Sequence, residues 1–218
     1  MQAADALELL TSIRLSGEII AENVSYDVFI RGSYGEHVEW YKGYVIGMAG
    51  IDQRHDALTN FFTVLLDIYL DLTGGGRCLR DPMVMRTYPD LPVRALAIQV
   101  LLPERLHFIR QLEVVGPANL ILEIVSPGSE RRDRVEKFSE YERAGVPEYW
   151  VLDHRHQEIL FYQLDDQGRY QRVDPDENGV YRSKILKQFQ LEVAVLWRND
   201  LPKGRGVVRM VEAMLAAE

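Results

Sequence analysis

Three residues of this chain combine a chemically capable side chain with unusual surroundings. Glu123 stands in residues 119–126, where Leu120, Ile121, Leu122, Ile124 and Val125 are all apolar. Such a run, bounded by Gly116-Pro117 and Pro127-Gly128, predicts a short strand buried on both faces. A carboxylate in that setting is costly unless it is neutralised, hydrogen-bonded or bound to a cation. Lys137 follows on "ERRDRVEKFSEYERAG", a charged segment that predicts a helix with Val135, Phe138 and Tyr141 on its inward face and Gly145 as its stop. A strand–turn–helix unit can fold the first turns of the helix over the strand end, where the Lys137 ammonium would meet the Glu123 carboxylate. His55, at the start of a second helical segment, is a candidate ligand, cap or polar contact.

Other groupings lack what their chemistry needs. "GGGR" at 74–77 has neither the Lys-Ser/Thr pair nor the following helix of a phosphate loop. His154 and His156 flank an exposed turn without partners at zinc-like spacing. No "GxSxG" elbow occurs.

The elements that must hold these residues follow from periodicity. "HVEWYKGYVIGM" alternates around Lys42-Gly43 and predicts a hairpin. After Asp52, apolar residues at Leu58, Phe61, Phe62, Leu65, Leu66 and Tyr69 predict a long helix that "TGGGR" ends. "RCLRDPMVMRTY" reads as a strand interrupted near Pro82, and "RALAIQVLL" as one further strand. "PEYWVLD", "EILFYQL", a polar hairpin through "DDQGRYQRV" and a strand near "FQLEVAVLW" complete the series, with a short helix in "GVVRMVEAMLAAE". A hairpin, a long helix, strands, a helix and more strands predict a mixed sheet with helices against it.

Composition narrows the function classes. The 218 residues, 47% hydrophobic, suit one domain of generous size with a real core. A formal net charge of -8 argues against a generally basic surface for nucleic acid, although a local basic groove is compatible with it. The single Cys78 rules out an internal disulfide framework and any zinc cluster built on cysteines. With no membrane-length apolar run and no cationic leader, the expectation is a soluble, cytoplasmic protein.

The block "GPANLILEIVSPGSERRDRVEKFSEYERAGVPEYWVLD" resembles the bacterial Uma family of putative restriction endonucleases, within the PD-(D/E)xK nuclease superfamily. "HVEWYKGYVIGMAG" with His55 upstream, and "GRYQRV", "NGVYRSKIL" and "FQLEVAVLW" downstream, extend the resemblance over residues 25–198. The resemblance implies an α/β (mixed α+β) fold, with a restriction-endonuclease-like central mixed sheet flanked by helices and an N-terminal β-hairpin and long helix. Residues 1–24 would be an N-terminal extension and 199–218 a C-terminal tail. It also implies magnesium-dependent phosphodiester hydrolysis, a nucleic-acid partner, DNA first, and a homodimer. Glu123 would be a metal ligand, His55 a weaker one, and Lys137 the migrated counterpart of a lysine whose usual place is taken by Val125. The family's Pro-Asp pair, counted from Arg94, falls on Leu96 and Ala97, so Ala97 occupies the position of the expected metal-binding aspartate. Relatives also carry Glu where this chain has Tyr44, while the Pro89-Asp90 pair lies on the wrong side of Arg94. A methyl group cannot coordinate magnesium, so catalysis is expected to be weak or absent. Two histories fit the gap, a naturally degenerate nuclease and an introduced Asp→Ala replacement. A noncatalytic module binding nucleic acid or protein is the alternative on the same fold, and a purely structural Glu123–Lys137 pair is the third reading.

Overall fold

The structure is a computed structural model that describes residues 17–35, 37–48 and 50–216. Most of the predicted N-terminal lead-in therefore lies outside the described residues. The chain runs β1 (Glu18–Ala21), α1 (Tyr26–Arg31), β2 (Val38–Tyr41), β3 (Tyr44–Gly47), α2 (Gln53–Thr73), β4 (Arg77–Leu79), β5 (Val84–Arg86), β6 (Arg94–Ala95) and β7 (Ile98–Leu101). It continues through β8 (Glu113–Val115), β9 (Leu120–Ile124), α3 (Lys137–Ala144), β10 (Glu148–Asp153), β11 (Glu158–Leu164), β12 (Tyr170–Arg172), β13 (Val180–Arg182), β14 (Gln190–Glu192) and α4 (Arg205–Ala216).

A six-stranded mixed sheet in the order β12-β11-β10-β9-β7-β4 forms the centre. β9 and β10 run parallel, and the other neighbours are antiparallel. This is the mixed, helix-flanked sheet that the order of elements predicted. β9 and β10 sit in the middle because both are apolar on each face. Side chains alternate along a strand, so Leu120, Leu122 and Ile124 face one way and Ile121, Glu123 and Val125 the other. The first set packs under α2 through Leu58, Phe62, Leu65 and Leu66. Val207, Val211 and Met214 of α4 join the same core. The second set packs with Tyr141, Ala144 and Tyr149 on the α3 side.

The local signals act as the sequence suggests in α2. The Asp52 side chain accepts from the His55 backbone N–H at 2.8 Å, and Gly74 closes the helix in the left-handed conformation at φ 104°. The hairpin turns at Lys42-Gly43 as expected, pairing β2 with β3.

Two elements depart from expectation. "RALAIQVLL" is divided: β6 pairs with β5 in a small sheet, β7 joins the central sheet, and the chain crosses between them at Leu96 and Ala97. Val135, expected to face inward, is 56% exposed, whereas Asp133 and Lys137 are buried. A π-helical turn at Arg132–Glu136 precedes α3. The buried face runs through Asp133, Lys137, Tyr141 and Ala144, spaced four, four and three residues apart, and Val135, two positions from both Asp133 and Lys137, points the other way.

A second buried acid on the sheet shows what a structural carboxylate looks like here. Glu148 is fully buried and accepts from Trp150 Nε1 (3.1 Å), Tyr181 OH (3.0 Å), Ser183 Oγ (3.0 Å) and the backbone N–H groups of Lys184 (2.5 Å) and Ile185 (3.1 Å). These bonds tie β13 and the loop after it to the central sheet. Glu148→Gln would turn an amide donor toward a ring of donors. We expect it to lower the unfolding free energy by about 2 kcal/mol in urea titration, and Glu148→Ala by more. An unchanged midpoint in both variants would show that the ring does not anchor β13.

Candidate active site

A cavity of 340 Å³ opens over the strand ends, and Ala97, Glu123, Lys137 and His55 all line it. The sheet register brings the first two together. Ile98 faces Leu122, Gln99 faces Ile121 and Val100 faces Leu120, and Ala97, at a bend just before β7, and Glu123 lie one residue beyond the last of these pairs and both line the cavity. A carboxylate at position 97 would therefore stand at the cavity that Glu123 borders.

The Lys137 ammonium is the hub of the buried charges. Its Nζ lies 2.8 Å from Glu123 Oε1, 3.3 Å from Asp133 Oδ1 and 3.7 Å from Glu39 Oε1. Tyr141 OH donates to the same Glu123 oxygen at 3.2 Å. Ser129 Oγ donates to Asp133 Oδ2 at 2.5 Å, and its own position is fixed by the turn at 126–129, where it accepts from the Ser126 N–H. Arg94 clamps the rest: its fork donates to both carboxylate oxygens of Glu140 on α3, at 2.8 and 2.6 Å, and Nη1 donates to Glu39 Oε2 at 2.5 Å. The hairpin, the chain crossing before β7 and the helix are thus joined through one buried guanidinium.

Burial pushes the Glu123 carboxyl up, and the nearby negative charges of Asp133 and Glu39 add to this against the opposing pull of Lys137, so it rises to about 7. Burial alone would lower Lys137, but the three carboxylates outweigh it and hold the ammonium above its usual value. Glu39 is raised by burial and lowered more by Arg94, Lys137 and Arg132 together, so it stays ionised. His55 is lowered, chiefly by burial. Its Nε2 faces the Ile124 carbonyl at 2.9 Å, and a carbonyl only accepts, so Nε2 carries the proton and Nδ1 keeps the lone pair.

Two members of this cluster, Glu39 and Asp133, escaped the sequence reading. Asp133 was signalled by its i,i+4 spacing to Lys137. Glu39 repeats the Glu123 anomaly, an acid between Val38 and Trp40 in an alternating strand, and it is 1% exposed. Of the basic residues expected around the cleft, Arg132 and Lys137 line the cavity, whereas Arg131 is 71% exposed. Asp90 does not line it; its carboxylate pairs with Arg143 at 2.7 Å. His156, read as partnerless, bonds Asp153 at 2.8 Å and lies near Glu130. Folding joins residues of distant segments, and Arg134 reaches into the same group at 3.4 Å from Asp153.

The oxygen donors of the cavity are of the type magnesium takes, and Glu39 Oε1 and Asp133 Oδ1 accept no hydrogen bond among the described residues. Their arrangement does not fit a resident ion. Ala97 offers no side-chain oxygen to the cavity, and the Lys137 ammonium fills the place between the carboxylates.

The helix-flanked mixed sheet is a fold shared with a solved structure. That structure, described as one of a putative nuclease belonging to DUF820 from Anabaena variabilis ATCC 29413, superposes with a TM-score of 0.60 at 14% identity, covering 73% of this chain and 89% of that one. The model of the family described as "Uma2: Putative restriction endonuclease" matches residues 31–194, and the chain belongs to that family. None of the curated proteins matches it. Among the described residues no helix is long and apolar enough to cross a membrane.

Lys137→Met would leave buried carboxylates without their cation, and we expect it to destabilise the protein by about 3–5 kcal/mol. Adding Glu123→Gln should recover part of that loss in denaturant titrations. Full additivity of the two losses would show that the pair is not coupled. The raised Glu123 carboxyl also sets a pH dependence. Its contribution is fully present below the ordinary value of 4.5 and is lost as pH rises through about 7. With chelator present, the stability of the wild type relative to Glu123→Gln should fall across that window. A constant difference from pH 4 to pH 8 (about those limits) would refute the raised carboxyl.

Proposed function

We propose that this chain is a PD-(D/E)xK-type nuclease-fold protein whose machinery for magnesium-dependent phosphodiester hydrolysis is disabled at Ala97. The observation that supports the reading is that Ala97 and Glu123, at adjoining ends of neighbouring strands, line one cavity with Lys137. Glu123 would be one metal ligand, Lys137 the group that orients water and offsets phosphate charge, and position 97 the missing second carboxylate. His55 would add an imidazole Nδ1 at the cavity wall. Without the carboxylate at 97, Lys137 takes the charge-balancing role of a metal and holds the acids together, so the cavity is stable and catalytically idle. The partner would be nucleic acid, DNA first, as the family description supports. The alternative, a noncatalytic module that binds nucleic acid or protein, is favoured by the same Lys137-centred neutralisation, which needs no metal to hold the site closed.

Ala97→Asp decides between them. The variant should bind manganese in titration calorimetry with affinity at least tenfold (about 1.4 kcal/mol) above that of the Ala97 protein, and should gain metal-dependent cleavage of DNA. Tight binding by the Ala97 protein itself would mean that Glu39, Glu123 and Asp133 suffice as ligands. Metal binding by Ala97→Asp without cleavage of any DNA or RNA would favour the noncatalytic module.

A two-fold dimer would let two such sites act on the two strands of a duplex. Light scattering at micromolar concentration should give twice the chain mass, and a monomer would remove this part of the proposal.

A further inference from the structure

A second cavity of 640 Å³ lies beside the first, and Arg80 and Asp81 line both. Its chemistry differs from that of the charged site. Phe29, Ile30, Leu79, Met83 and Val84 give it apolar walls, and Leu112, 47% exposed, stands at its edge. Tyr34 lies within it, half-buried, with its ring stacked on Phe29 at a centroid distance of 6.1 Å and an interplanar angle of 23°. The chain makes room for that ring at Gly32, where a Cβ would stand 2.4 Å from Tyr34 Cε2. Ser33 and Gln111 supply exposed polar groups at the mouth.

A flat aromatic face, apolar walls, a few polar groups at the rim and a guanidinium at the passage to a phosphodiester site match the demands of one nucleobase. The volume lies within the range of small-ligand pockets and admits a purine or a pyrimidine. In a duplex the base faces are stacked and out of reach, so the occupant must be unpaired or turned out of the stack. At the passage, the Asp81 carboxylate is engaged by His37 Nδ1 at 2.6 Å, while Arg80 is exposed and can meet the sugar–phosphate backbone.

We propose that this second cavity binds a single unpaired nucleobase, with Tyr34 as its stacking platform and the exposed Arg80 meeting the adjoining phosphate at the passage between the two cavities. This makes the substrate class a single-stranded or locally unpaired nucleic acid, and it rests on the nucleic-acid reading above. No cleavage step is involved, so the pocket would act equally in a catalytic or an idle protein.

The test measures binding by the full chain in chelator, using short fluorescein-labelled oligodeoxynucleotides of one sequence, single-stranded and duplex, and a single-stranded version carrying 2-aminopurine. The wild type should bind the single strand more tightly than the duplex and change 2-aminopurine emission. Tyr34→Ala should weaken single-strand binding about tenfold and leave duplex binding unchanged, while Tyr34→Phe retains wild-type affinity. Ser33→Leu, at an exposed position that narrows the mouth, should reproduce the loss even if Tyr34→Ala fails to fold. If both strand forms bind but neither Tyr34→Ala nor Ser33→Leu affects the single strand selectively, the base pocket is wrong and the nucleic-acid reading stands. If the wild type binds neither form, both fall.

Discussion

The placement of one ammonium inside the protein governs much of the rest. Lys137 is 2% exposed and stands among three carboxylates drawn from a hairpin, a strand and its own helix. A buried cation of this kind tolerates no neighbour that fails to answer its charge, and the acids tolerate no loss of it. Each element that converges here is therefore fixed in relation to the others. Asp133 and Lys137, four residues apart, share the inward face, and Val135, midway between them, is turned to solvent. Arg94 then closes the arrangement by spanning Glu39 and Glu140, so hairpin and helix cannot separate without breaking charge-assisted bonds.

The two buried glutamates of the adjacent central strands separate structural from functional design. Glu148 meets five donor groups, each with its own fixed place, and its environment leaves nothing to be added. Glu123 meets one lysine and one tyrosine, shares the lysine with two further acids, and borders an open cavity. Burial first, and then the acids Asp133 and Glu39 nearby, raise its affinity for a proton against the pull of Lys137. A site with surplus oxygen donors and room beside them is poised for another cation or a proton, whereas a site like that of Glu148 is finished. Ala97 lines the same cavity and adds no polar atom to it beyond the backbone.

The sequence displayed what depends on local pattern. Strand alternation exposed Glu123 as an anomaly, the cap at Asp52 and the stop at Gly74 bounded the long helix, and the hairpin turned at Lys42-Gly43. It concealed what depends on geometry between elements. Val135 was expected inside because it is apolar, yet the face that holds Tyr141 is continued by Asp133 and Lys137, which a search for apolar residues passes over. Arg94 served to count residues toward Ala97, yet its own role as the clamp needed the hairpin and α3 to be seen together. Glu39 carried the same signal as Glu123, an acid among apolar neighbours, but a strand with one face toward solvent is free to hold an acid there, so the signal was ambiguous without knowing which face was covered.

The division of "RALAIQVLL" into two strands has a consequence that a continuous strand would not permit. Because β6 belongs to one sheet and β7 to another, Arg94 and Ala97 are three residues apart in sequence yet serve different layers. Arg94 holds the hairpin against α3, while Ala97 lines the cavity beside Glu123 at the end of the central sheet. The bend at Ala97, next to the buried Leu96, lets one short segment build the clamp and part of the cavity wall together. A change at position 97 can therefore alter the cavity chemistry without loosening the clamp. The Arg94 clamp draws on Glu39 and Glu140 and makes no use of the side chain at position 97, so the fold holds together with a methyl group there.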